Sequence, residues 1–168
     1  MNWYENAVMY HIYPLGFCGA PKCNEGGEPV NRLEKVLDWI PHLKELGVDA
    51  VYFGPVFESV EHGYDTTDYR VIDRRLGTNE MFAHICDELH KNGIACIMEF
   101  YFPEETDSLM ALRALQFWRD FYHVDGFHVL GEGFNREMLL RDGILSGAKL
   151  IFQGFDFDHF YRGKLPAR

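Results

Sequence analysis

From residue 7 to residue 152 the sequence alternates short β-rich runs with stretches whose apolar residues recur at helical spacing. That alternation argues for a parallel sheet with helices packed outside it. The first run, Ala7 to Tyr13, is closed by Pro14. A polar, glycine-rich loop from Gly19 to Pro29 leads to Asn31, which is expected to cap a helix with Glu34 reaching back to it. Leu33, Val36, Leu37, Ile40, Leu43 and Leu46 mark the apolar face of that helix, and Gly47 stops it. Val48 to Phe53 reads as a buried second strand ended by Gly54-Pro55. After a loop from Glu58 to Gly77, Thr78 caps a helix carrying Phe82, Ile85, Cys86 and Leu89, and Gly93 ends it before the apolar strand Ile94 to Phe102. Asp107 or Ser108 opens a third long helix, and Val124 to Leu130 gives a fourth strand. Asn135 to Arg141 forms a short helix closed by Gly143, and Ala148 to Phe152 a fifth strand. Units of this kind build either a barrel or an open doubly wound sheet, and periodicity does not choose between them.

With 168 residues the chain has room for one sizeable core, so residues 1–168 are expected to form a single domain. The formal charge of −10 repels phosphate backbones and anionic lipid surfaces, which excludes nucleic acid and membrane as expected partners. The N-terminal residues carry no basic stretch followed by an apolar one, and no run reaches the length of a membrane span, so a cytoplasmic protein is expected. Cys18, Cys23, Cys86 and Cys96 lack the spacing of a zinc site and are expected to be free thiols, with no metal and no cofactor.

Particular strings choose the barrel. Tyr10-His11-Ile12-Tyr13-Pro14, Trp39 to Val48 and Gly54-Pro55-Val56-Phe57-Glu58-Ser59 resemble the first strand, first helix and second-strand loop of the α-amylase family of glycoside hydrolases. The most specific piece is His62-Gly63-Tyr64-Asp65-Thr66-Thr67-Asp68-Tyr69, followed by Arg74-Arg75-Leu76-Gly77-Thr78. The resemblance implies a TIM-type (β/α) barrel with its chemistry on loops at the C-terminal ends of the strands. It also implies that Tyr64 stacks on a sugar ring, while Asp65 reads as structural, accepting hydrogen bonds from loop amides or an arginine.

Past residue 94 the family pattern fails at the positions that carry chemistry. Retaining glycosidases need two carboxyl groups about 5 Å apart, one as nucleophile and one as acid. The family's third strand ends in Asp-x-x-x-Asn-His, where this chain has Glu99, Pro103 and Glu104. Its fourth strand reads Asp-Gly-x-Arg-x-Asp, against Asp125-Gly126-Phe127-His128-Val129-Leu130 here, so His128 stands for the arginine and Leu130 for the nucleophile. Near the general-acid position of the fifth strand stand only Gln153 and Gly154. The long insertion after the third strand and strands six to eight are also missing, which leaves about five β/α units and an incomplete barrel.

Three readings follow. The first is a catalytically inactive or impaired relative that keeps an α-glucan or maltooligosaccharide-binding face. Tyr64, Asp65, Tyr13 and His128 are its expected contacts, with Phe57 and Tyr101 extending the aromatic platform. The second is an active hydrolase or transglycosylase using displaced carboxylates, with Glu99, Glu104, Glu132 and Asp156 as candidates, Asp156 reading more simply as a solvated helix start. The third is a non-enzymatic scaffold. Five strands leave open edges and one uncovered apolar face, so a homo-oligomer, a partner chain, or the aromatic tail Phe155 to Tyr161 folding back is expected to cover them.

Overall fold

A computed structural model of the protein describes residues 6–152 and the backbone of residues 160–161. The elements in chain order are β1 (Met9–Ile12), α1 (Pro14–Phe17), α2 (Glu34–Leu46), β2 (Ala50–Phe53), β3 (Phe57–Ser59), β4 (Thr66–Ile72), α3 (Asn79–Lys91), β5 (Ala95–Phe102), α4 (Ser108–Tyr122), β6 (Gly126–Gly131), α5 (Arg136–Arg141), β7 (Lys149–Ile151) and β8 (Phe160–Tyr161). The main sheet runs β7-β6-β5-β2-β1-β8, and every pairing in it is parallel. The alternation predicts this parallel sheet, and its arrangement is that of the front part of a β/α barrel, as the resemblance implies.

The caps follow side-chain chemistry. Thr78 accepts from the Met81 amide, Asp107 from the Leu109 and Met110 amides, and Asn135 from the Met138 amide, each satisfying donors that the first helical turn leaves open. Gly47 ends α2 with φ 69°, a left-handed conformation that costs glycine no Cβ clash. The expected Asn31 cap is not formed. Leu33 occupies the N-cap position of α2 instead, held by its fully buried side chain and by donation of its amide to the Leu76 carbonyl. The helix start is thus fixed by the neighbouring loop rather than by its own polar residue.

The Glu58 to Gly77 stretch, expected as loop, contains an antiparallel hairpin of β3 and β4 outside the main sheet. Its period-2 signal is weak because β4 is exposed or half-buried along most of its length, and the register shifts on either side of Glu58.

Alternation on the main strands sorts side chains into two cores. Outward residues such as Val51, Phe53, Met98, Phe100, Phe127 and Val129 pack under the helices with Phe82, Leu115 and Trp118. Inward residues Met9, Ala50, Tyr52, Ile97 and Ile151 form a second, smaller cluster. Contrary to the expected uncovered apolar face, each of these is at most 1% exposed within the single chain. One edge is likewise partly closed, since the backbone of β8 runs parallel to β1, pairing Met9 with Phe160 and Tyr10 with Tyr161. The rest of the proposed tail cover, Phe155 to His159, lies outside the described residues. No helix among the described residues is long and apolar enough to cross a membrane.

Candidate functional site

The upper half of the sheet interior is polar. Register places His11 beside Tyr52 across β1 and β2, and Glu99 beside His128 across β5 and β6. All four point inward, because they share strand parity with Met9, Ala50 and Ile97. The Tyr52 hydroxyl joins two of them: it donates to Glu99 Oε2 and lies 2.8 Å from His128 Nδ1. The His11 ring stands edge-on to Tyr52 at 5.1 Å between centroids. Tyr52, Glu99 and His128 are 1%, 5% and 1% exposed, so the trio is a sealed floor rather than a rim.

Burial sets its protonation. Desolvation raises the Glu99 carboxyl above the ordinary carboxylate value, only partly offset by the Tyr52 and Tyr64 hydroxyls that bear on it. Desolvation also drops the His128 imidazole to about 4, against the pull of the Phe152 backbone. Burial and Glu99 together push the Tyr52 phenol upward. Every member is therefore biased toward its neutral form.

Above this floor three tyrosines open toward solvent, Tyr13, Tyr64 and Tyr101 at 38%, 41% and 39% exposure. Tyr64 and Tyr101 meet edge-to-face at 6.3 Å, and the Tyr13 hydroxyl donates to the His62 carbonyl at 2.7 Å. Tyr13 also borders an open cleft of about 310 Å³ lined by Leu15, Pro21, Lys22, Glu61 and His62. Phe57, expected in the platform, is instead 1% exposed and packs on Phe100 and Trp118 beneath the hairpin.

The loop carrying Tyr64 is braced by charge. Asp65 accepts from the Glu61 amide at 2.7 Å and the Gly63 amide at 3.0 Å. Burial alone would raise its carboxyl, but those amides and the His62 charge outweigh it and hold it below the ordinary value. Asp65 thus serves as a loop brace, and its expected ligand contact has no support in these bonds. Gly63 has φ 94°, and a Cβ there would lie 2.9 Å from Pro55 Cβ, so only glycine fits before Tyr64. Deeper in the loop, Arg75 grips Asp73 with a two-pronged pair at 2.9 and 2.8 Å. Its remaining donors go to the Pro21, Lys22 and Glu61 carbonyls and the Ser59 hydroxyl.

The other sequence-derived candidates do not converge. Leu130 pairs across the sheet with Tyr101, so an alkyl side chain stands where the resemblance calls for a nucleophile. Glu132 lies past the end of β6 and is exposed, as is Glu104. Asp156 falls outside the described residues. His128, expected to face a ligand, is buried under Tyr52 and holds the floor instead. Sequence reasoning missed Tyr52 and His11, although strand parity carried the signal: each lies two residues along its strand from an inward apolar residue, Ala50 and Met9. Among the described residues Glu99 is the one buried carboxylate in the interior layer, and two are needed for retaining hydrolysis.

Comparison with known proteins agrees with this architecture. Residues 11–129 match the family model described as the α-amylase catalytic domain, a match that ends one residue before Leu130. An oligo-1,6-glucosidase of Heyndrickxia coagulans is 36% identical over 108 residues, covering 63% of this chain and 19% of that protein. A solved cyclomaltodextrinase structure superposes with a TM-score of 0.68 at 20% identity, covering 89% of this chain and 39% of the other. AmyP in complex with maltose superposes with a TM-score of 0.60 at 17% identity, covering 72% and 33%. The chain therefore spans about a fifth of the length of the curated relative it matches.

Proposed function

Because the chain belongs to the α-amylase family, we propose that it retains an α-glucan-binding face and has lost hydrolytic activity. The observation that carries this reading is the floor beneath Tyr64, where a neutral-leaning Tyr52–Glu99–His128 chain and Leu130 occupy the place of a carboxylate pair. An isobutyl group cannot attack an anomeric carbon, and Glu99 lies sealed under tyrosine, without the second carboxyl that the double displacement requires. Glu132 does not replace it, since it is exposed and displaced along the chain from the strand end.

Binding survives this loss because sugar recognition rests on other groups. The apolar faces of a glucan ring stack on aromatic surfaces, and Tyr64, Tyr101 and Tyr13 offer three at the open end of the sheet. Burial and Glu99 keep the Tyr64 phenol protonated, and its oxygen can accept from a sugar hydroxyl. That AmyP has been crystallised with maltose makes a maltooligosaccharide the first ligand to test.

The test joins two measurements on the full chain, reducing-sugar release from starch and maltotriose, and calorimetric titration with maltotriose. We expect binding without release. Release that survives purification and disappears in Glu99→Gln or Glu132→Gln would replace this reading with an enzyme using displaced carboxylates. Absence of both binding and release at millimolar sugar would leave the scaffold reading.

A further inference from the structure

At the opposite, N-terminal end of the strands three unlike ligating groups meet. His90 lies in the last turn of α3, Cys96 is the second residue of β5, and Asp125 immediately precedes β6. Their donor atoms all lie within 4.8 Å of one another. We propose that His90, Cys96 and Asp125 form a binding site for a thiophilic divalent cation of the Zn²⁺ class, which pins α3 to the feet of β5 and β6.

The donor set fits such an ion. Imidazole, thiolate and carboxylate are the groups zinc takes, at roughly 2.0–2.3 Å, which places donors roughly 3.4–3.6 Å apart in a tetrahedron. To hold one ion between them His90 Nε2 and Asp125 Oδ2, now 2.5 Å apart, must part by roughly 1 Å, and His90, whose side chain is 34% exposed, can swing to provide it. Asp125 Oδ2 now accepts from His90 Nε2 at 2.5 Å and from the Cys96 amide at 2.7 Å. The first of these bonds shows that the ring nitrogen and carboxylate already point at each other, and the second holds the carboxylate over the strand start. Cys86, one turn before His90 on α3, is equally buried, and its thiol bears on that of Cys96. Cys96 is fully buried at the bottom of the cluster, while His90 and Asp125 face water and leave an entry path and a fourth position for a water ligand. A dication would offset the two negative charges of carboxylate and thiolate, and binding would release the thiol proton. No short motif marks this site, because strand pairing brings together residues as far apart as 90 and 125. The sequence-based expectation of no metal rests on close spacing alone.

The experiment uses the full chain carrying Cys18→Ser and Cys23→Ser, which removes the thiols nearer the surface. Titration with Co²⁺ is followed by absorption, where thiolate ligation gives an intense near-ultraviolet charge-transfer band, and Zn²⁺ is then added to displace it. We expect one saturable site, a band abolished by Cys96→Ala, and an affinity lowered more than about tenfold by His90→Gln. A band that persists in Cys96→Ala, or no saturable band in the parent chain, would overturn the proposal. Should Cys96→Ala fail to fold, His90→Gln decides, since its ring is a third exposed and an unchanged affinity there overturns the assignment equally.

Discussion

The loop between β2 and α3 and the upper ends of β5 and β6 lie on the same rim, yet they treat charge in opposite ways. The loop buries a full ion pair, Arg75 and Asp73 at 5% and 1% side-chain exposure, and supplies partners for the remaining guanidinium donors. The strand ends bury polar groups whose charged forms are disfavoured, with Glu99 raised and His128 lowered by desolvation. A buried charge is tolerated only where geometry and hydrogen bonds repay its dehydration. The machinery that holds Tyr64 in place is therefore independent of the machinery that would cut a bond, and one can be lost while the other stands.

The largest effect should come from breaking the loop's ion pair. Arg75→Met leaves Asp73 charged, buried and stripped of its bidentate partner, which costs about 3–5 kcal/mol. Urea denaturation measures this directly. A loss under 1 kcal/mol would mean that the loop, like the strand ends, adapts to neutral groups.

The strand ends should answer to pH instead. The unfolded chain protonates His128 near the ordinary imidazole value of 6.5, whereas the folded chain holds it neutral down to about 4. Between those values the unfolded state binds more protons, so the stability His128 contributes at neutral pH is lost as pH falls through that window, by up to about 3 kcal/mol. Glu99 acts with the opposite sign. Its raised carboxyl favours the protonated folded state, and that contribution is lost as pH rises through its folded value. Denaturation across a pH series should show a shallower acid limb in His128→Gln and a flatter alkaline side in Glu99→Gln. An unchanged acid limb in His128→Gln would place the titrating group elsewhere.

How legible each region was in the sequence follows from the same contrast. The main-sheet strands and the capped helices were readable because period and cap chemistry are local, as Thr78, Asp107 and Asn135 illustrate. The departures at Leu130 and His128 were readable as substitutions within a recognisable string. The polar floor was not, because Tyr52 and Glu99 lie 47 residues apart and only the β2–β5 register brings them together. The hairpin escaped for the converse reason, since the polar face of β4 hides its alternation. Burial of the inner apolar face was equally hidden, because counting strands says nothing of how exposed their side chains are.

Between those extremes lies the ligand surface. Tyr64→Ala removes a half-exposed ring that meets Tyr101 edge-on and bears on Glu99, and it should weaken maltotriose binding by about 1–3 kcal/mol with stability nearly unchanged. Asp65→Asn keeps an acceptor toward the Glu61 and Gly63 amides and should weaken binding less than Tyr64→Ala does. Calorimetry on both variants separates stacking from loop bracing. Equal losses would show that the loop's order, rather than the ring, sets the affinity.

The smallest effect is expected at Glu132, and its smallness is informative. This carboxylate is the first acidic side chain in sequence after Leu130, one residue past the end of β6, which makes it a candidate for a displaced nucleophile. The structure gives it little to hold: the side chain is exposed, and the backbone amide is the group anchored, donating to the Phe102 carbonyl at 3.0 Å. Glu132→Gln preserves shape and that main-chain bond while removing the charge. An exposed residue with no ion pair among the described residues changes stability by less than about 0.5 kcal/mol when substituted this way. Affinity for maltotriose should likewise stay the same, because the stacking tyrosines and the buried floor are untouched. A marked loss of binding would draw the ligand past the tyrosines toward the end of β6. A loss of sugar release would go further and show that the strand ends cut bonds after all, with a displaced carboxylate in place of the one that Leu130 lacks.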